Sequence, residues 1–231
     1  MLSEEEVFEP WIGRDYVSGG ILSKKMLIVG ASHYCDNVYS DEDCDNCDYC
    51  KCSRTCICDC KCSQFTKRVI ERYLSSDDMH APWKNTYTKF VNSILRITRG
   101  ETFHASLDDK FSFFHSIAFM NYLQVIEGAD SDDKHPELYG QYAEKNLRNF
   151  KDVLHDLRPD VIVVWGENAR SRIPADLGFG VAVGDKDNVD VMHYKFEDFS
   201  FDLFACAHPA SRKFCTMKPS ATEILRDLGV A

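Results

Sequence analysis

The sequence predicts an α/β fold, a three-layer α/β/α sandwich around a mostly parallel central sheet. Three observations lead there. Short apolar runs such as Met26–Gly30 and Val161–Gly166 are closed by glycine, as buried parallel strands are. Segments of helical period separate these runs, and strands that alternate with helices build a parallel sheet with crossover helices on both faces. The chain has 231 residues, 44% of them hydrophobic and 12% aromatic, which is enough for a real core and excludes disorder as the main state.

The elements follow in order. Residues 1–23 read as an irregular arm anchored by Phe8 and Trp11. Met26–Gly30 is the first buried strand, and Ala31-Ser32-His33-Tyr34 lies at its carboxyl end. Residues 35–63 form a cysteine-rich, acidic insert with little apolar surface to bury. A helix resumes at Gln64, with Phe65, Val69 and Tyr73 at spacing four. A second helix spans Tyr87–Ile97. In the apolar segment Phe111–Leu123, His115–Met120 is expected as a central strand ending at Asn121. Residues 127–137 read as an acidic loop, and Leu138–Leu157 as a helix ended by Arg158-Pro159. Val161–Trp165 is the clearest buried strand, and Glu167–Leu177 the helix after it. Residues 178–188 read as a loop, Asp190–Phe196 as a short strand and Asp202–Ala207 as a fourth strand, followed by His208-Pro209. Ser220 is expected to cap a last helix reaching about Leu228. The whole reads as a single domain, residues 1–231, with one insert.

Charge and composition narrow the function. Lys and Arg number 27 against 37 Asp and Glu, a net charge of −10, which argues against a large DNA-coating surface. A small basic island survives at Arg212, Lys213 and Lys218. No run approaches the ~18 apolar residues of a membrane span. The start MLSEEEVFEPW is acidic and unlike a signal peptide, so a cytoplasmic monomer with no membrane partner is expected.

In a parallel α/β sheet, ligands sit outside the carboxyl ends of the strands. That rule selects Gly30–Tyr34, Asn121–Gln124, Gly166–Asn168 and His208–Arg212. In this order the four segments resemble the uracil-DNA glycosylase superfamily. Its first motif, a strand followed by Gly-Gln-Asp-Pro-Tyr or a variant, is matched by Leu27-Ile-Val-Gly30-Ala-Ser-His-Tyr34. Its middle strand ending in Asn is matched by Ile117-Ala-Phe-Met-Asn121, and its later strand with Trp and Gly by Val161–Gly166. Its second catalytic motif, His-Pro-Ser-Pro-Leu or a variant, is matched by His208-Pro209-Ala-Ser211-Arg212.

The resemblance implies hydrolysis of the N-glycosidic bond of a flipped uracil or other damaged base in DNA. It implies that His208, as a neutral imidazole, stabilises the departing base, that Asn121 reads the base edge, and that Tyr34 walls the pocket. Gly30, Ala31, Pro209, Ser211 and Arg212 would complete the binding surface. Ser32 stands where the best-known branch has Asp, His33 where it has Pro, and Arg212 where it has a wedge Leu. Ser32 or His33 would then place the attacking water. The alternative is an inactive module of the same fold that holds nucleic acid or a nucleobase. In either case the partner is DNA or a nucleobase-containing ligand.

The insert carries Cys44, Cys47, Cys50, Cys52, Cys56, Cys58, Cys60 and Cys62. Crowded thiols select a soft metal. Structural zinc is the favoured reading, because eight thiolates can make two tetrahedral sites and metal binding would supply folding energy to a stretch without a core. Cys44-x2-Cys47-x2-Cys50 begins like a ferredoxin run, but Arg54 occupies the fourth ligand position, so an iron–sulfur cluster is the lesser expectation.

Overall fold

The computed structural model describes residues 7–35, 62–75, 82–124, 126–128, 140–177, 181–184, 191–196, 198–214 and 221–230. Nine strands and six α-helices are found there. The strands are β1 (Trp11–Ile12), β2 (Met26–Gly30), β3 (His33–Cys35), β4 (Ile117–Asn121), β5 (Ile126–Gly128), β6 (Val161–Trp165), β7 (Val181–Gly184), β8 (Val191–Lys195) and β9 (Ser200–Cys206). The helices are α1 (Phe65–Leu74), α2 (Lys84–Arg99), α3 (Leu107–His115), α4 (Ala143–Leu157), α5 (Glu167–Arg170) and α6 (Ala221–Asp227).

Seven strands form one sheet in the order β1-β4-β2-β6-β9-β8-β7. The middle four, β4, β2, β6 and β9, are mutually parallel. β1 joins one edge antiparallel, and β8 and β7 continue the other edge antiparallel. The central strands are buried on both faces, which is why β2, β4 and β6 read as uninterrupted apolar runs.

Alternation along each strand sorts the core into two layers. Met26, Ile28, Phe119, Val163, Trp165 and Phe204 face α1, α2, α3 and α6. Leu27, Val29, Met120, Val164 and Leu203 face the opposite side, where Phe150, Val153 and Leu154 of α4 cover them. The chain is thus a mixed α/β protein with a mostly parallel sheet and helices on both faces. No helix among the described residues is long and apolar enough to cross a membrane.

The crossover from β2 to β4 runs over one face and that from β4 to β6 over the other, so the chain reverses direction across the sheet between β2 and β6. Such a switch point opens a crevice at the carboxyl ends of its two strands.

Several expectations are corrected. His115, expected as the first residue of the central strand, ends α3, and the strand starts at Ile117. A capping box decides this: Ser106 Oγ accepts from the Asp109 N–H, and the Asp109 carboxylate accepts from the Ser106 N–H. The helix after β6 is a single turn, Glu167–Arg170, and does not run to Leu177. α4 begins at Ala143, within the expected Leu138–Leu157. The stretch 178–188, expected as loop, contains β7. The arm is pinned as expected: Phe8 is buried, and the Trp11 indole donates to the Phe114 carbonyl at 2.8 Å.

Candidate functional site

Parity puts Gly30, Asn121, Trp165 and Cys206, the last residues of the four parallel strands, on the same face of the sheet. Asn121 lies beside Gly30 in register. It is 5% exposed. A Cβ on Gly30 would overlap Asn121 Oδ1 and press on the Phe119 ring at 3.2 Å. The carboxamide therefore leans over the backbone of β2, into space that only glycine leaves open.

The same carboxamide is held from its nitrogen end. Asn121 Nδ2 and His33 Nδ1 are 2.9 Å apart. An amide nitrogen can only donate, so the ring nitrogen accepts. The imidazole proton then sits on Nε2, 2.9 Å from Thr66 Oγ1 in the first turn of α1. The rings of Phe8 and Phe65 meet the imidazole edge-on at 4.8 and 4.7 Å. Burial in this apolar clamp pushes the His33 pKa down to about 3, so the ring is neutral at physiological pH. With both nitrogens engaged inside the protein, His33 holds Asn121 and does not face a substrate water in this arrangement.

The backbone of Asn121 is fixed as well. Gln124 Nε2 donates to the Asn121 carbonyl at 2.7 Å, and Gln124 Oε1 accepts from Phe8 N–H at 2.8 Å. Asn146 Oδ1 of α4 accepts from the Gln124 N–H at 2.9 Å. Arm, strand end and helices from both faces therefore meet in one buried polar network.

Across the crevice, His208 follows β9. It lies close to the end of β6: a Cβ added to Gly166 would lie 3.6 Å from the His208 Cβ. Gly166 adopts φ +92°, a conformation that favours glycine. The His208 ring meets the Trp165 indole nearly perpendicular, with centroids 6.1 Å apart. His208 Nδ1 accepts from the Ala210 N–H at 3.2 Å. With Nδ1 accepting from a backbone group, Nε2 is the ring nitrogen left to carry a proton. The turn is closed by Ser211 N–H donating to the His208 carbonyl at 2.7 Å, and it is anchored by buried Pro209 and Phe214. Arg212 and Lys213 are exposed on it.

Phe119, Trp165 and Tyr87 pack against one another beneath this crevice, at centroid distances of 5.3 to 5.9 Å. Asn121 at the end of β4 and His208 just past β9 therefore lie beside Gly30 and Gly166, near the aromatic group of Phe119, Trp165 and Tyr87.

Among the other candidates, Ser32 is buried beside the crevice, and the Gly30 and Ala31 carbonyls accept from Tyr122 and Leu123 N–H at 2.9 Å. Ser211 is half-buried in the His208 turn. Tyr34 lies in β3, opposite Glu127 of β5, and its side chain is outside the described residues. Cys44, Cys47, Cys50, Cys52, Cys56, Cys58 and Cys60 are outside them too, as is the Cys62 side chain. Among the described residues no group of three or more His, Cys, Asp or Glu is placed to hold a metal.

Thr66 is not among the sequence candidates, and nothing in its local pattern signals the role, because its partner His33 lies 33 residues away. No protein-family model matches the chain, and no curated protein matches it significantly in sequence.

Proposed function

We propose that this protein is a uracil-DNA glycosylase-like enzyme that holds a flipped base at the switch point between β2 and β6 and hydrolyses its N-glycosidic bond. The observation that carries the reading is the placement of Asn121 against Gly30 and of His208 beside Gly166 and Trp165, at the carboxyl ends of neighbouring parallel strands. A planar base suits a crevice with an aromatic floor and polar groups on either side. Asn121 supplies a donor and an acceptor to the base edge. His208 Nε2–H is directed at the negative charge that grows on the departing base. Ser32 places the water, and exposed Arg212 and Lys213 meet the phosphates. Cysteines 44 to 62 bind zinc in a structural role, a reading supported by their spacing in the sequence.

A single-stranded oligonucleotide with one uracil tests this. The protein is expected to release free uracil, and His208→Ala to slow release by about 100-fold or more. No release from uracil or any deaminated base would overturn the enzyme reading. A second reading, binding without turnover, is favoured by one observation: Ser32 offers no negative charge to a sugar cation. It expects retained, salt-dependent affinity with no product.

A further inference from the structure

We propose that β1, the two short turns after it (Tyr16–Ser18 and Gly20–Leu22) and the outer side of α3 form a self-association surface, on which a second copy of this chain docks across a two-fold axis. This differs from the monomer expected above. Among the described residues, five large apolar side chains are exposed: Ile12, Val17, Ile21, Leu107 and Phe111. All come from two segments, 12–21 and 107–111. Val17 is the extreme, at 84% exposed. Single exposed apolar side chains are ordinary, whereas several gathered at one place mark a contact surface.

The two segments are fastened to each other. Asp15 N–H donates to the His115 carbonyl at 2.8 Å, and Ile21 N–H to Ser116 Oγ at 3.0 Å. The Arg14 guanidinium lies over the Phe111 ring, 5.7 Å from its centroid. The same ring meets His115, whose imidazole meets Trp11 of β1. Leu107 and Phe111 are one helical turn apart, so they share a side of α3. Ile12 pairs with Ala118, which faces the α4 layer, so the apolar surface continues around the edge of the sheet. Strand order makes β1 that edge. Charged side chains are the usual guard of an open sheet edge, and here apolar ones stand in their place.

Charge selects the occupant. The chain carries −10 overall, so two copies repel over most of their surface. At this edge the balance is even. Arg14, Lys110 and Arg99, the last bound to Asp109 at 2.5 Å, offset Asp15, Asp108 and Asp109. A two-fold contact presents the same patch to itself, so the cations of one copy meet the carboxylates of the other around an apolar centre. Nucleic acid gains nothing from so balanced a rim.

Sedimentation velocity of the full chain, with reductant present and its metal content unaltered, tests this. A concentration-dependent dimer is expected. Val17→Glu is expected to weaken it about tenfold or more while the denaturation midpoint stays unchanged, because this side chain is already in water in the single chain. Arg14→Glu, which sets like charges against each other across the axis, is expected to weaken it as well. A single monomeric species up to about 100 µM would overturn the proposal. So would a dimer that a folded Val17→Glu protein retains in full. A dimer abolished by chelator but untouched by Val17→Glu would assign the contact to cysteines 44 to 62, and would overturn it too.

Discussion

His33 and Asn121, 88 residues apart in sequence, share a 2.9 Å hydrogen bond inside the protein, and that bond holds a buried carboxamide at the end of β4. The consequences are measurable in stability as well as in binding.

The first concerns pH. His33 has an ordinary value of 6.5 and is held near 3 by burial, so between those limits the unfolded chain binds a proton that the folded chain refuses. Its contribution is complete above pH 6.5 and is lost as pH falls towards 3, at up to about 1.4 kcal/mol per pH unit. His115, also held below its ordinary value by burial, and Glu9, held low by its hydrogen bonds to Lys67 and Gln64, add slopes of the same sign. Denaturation of His33→Gln beside the unsubstituted protein, from pH 7 to 5, isolates the His33 part. The variant is expected to lose most of the slope.

Gly30→Ala places a methyl on Asn121 Oδ1 and against Phe119. The carboxamide must move, at a cost of about 1–3 kcal/mol in stability. Nucleobase binding is expected to fall more steeply than that loss explains. A denaturation midpoint and an affinity measured on one preparation separate the two effects.

Gln124→Leu keeps the volume of a fully buried side chain but strands the Phe8 N–H, which Gln124 Oε1 accepts at 2.8 Å. A loss of about 1–3 kcal/mol is expected. Proteolysis near Phe8 should quicken, since this bond helps to pin the arm to the carboxyl end of β4.

Cys206 is buried at the end of β9, and burial pushes its thiol up to about 12. It is expected to resist alkylation in the native protein at neutral pH and to react once the protein is unfolded. Peptide mapping after iodoacetamide treatment reads this thiol apart from those of residues 44–62. The same protein, analysed for metal content, should carry zinc that a strong chelator removes.

The sequence reveals the central sheet because its strands are apolar on every residue, and only strands buried on both faces read that way. β2 and β6 are the plainest cases. It misleads at His115, which borders the apolar run of β4 and reads as strand until the Ser106–Asp109 box that starts α3 is recognised. β7 is hidden because its role comes from antiparallel pairing with β8. Asn121 and His208 are legible as polar residues just past apolar runs. The support behind Asn121 is not, because Thr66 is 33 residues from His33 and chain crossing alone brings them together. Its place in the motif makes His33 an alternative to Ser32 for holding water, whereas the burial that turns it inward depends on Phe8 and Phe65.

The most direct test of a shared crevice is a double-substitution cycle on Asn121 and His208. Affinity for a uracil-containing oligonucleotide would be measured at fixed salt for the unsubstituted protein, Asn121→Ala, His208→Ala and the pair. Each single change is expected to weaken binding about tenfold, with a combined loss that departs from the product of the two by about twofold or more. Affinity for the oligonucleotide unmoved by either change would mean that these side chains do not act on one ligand.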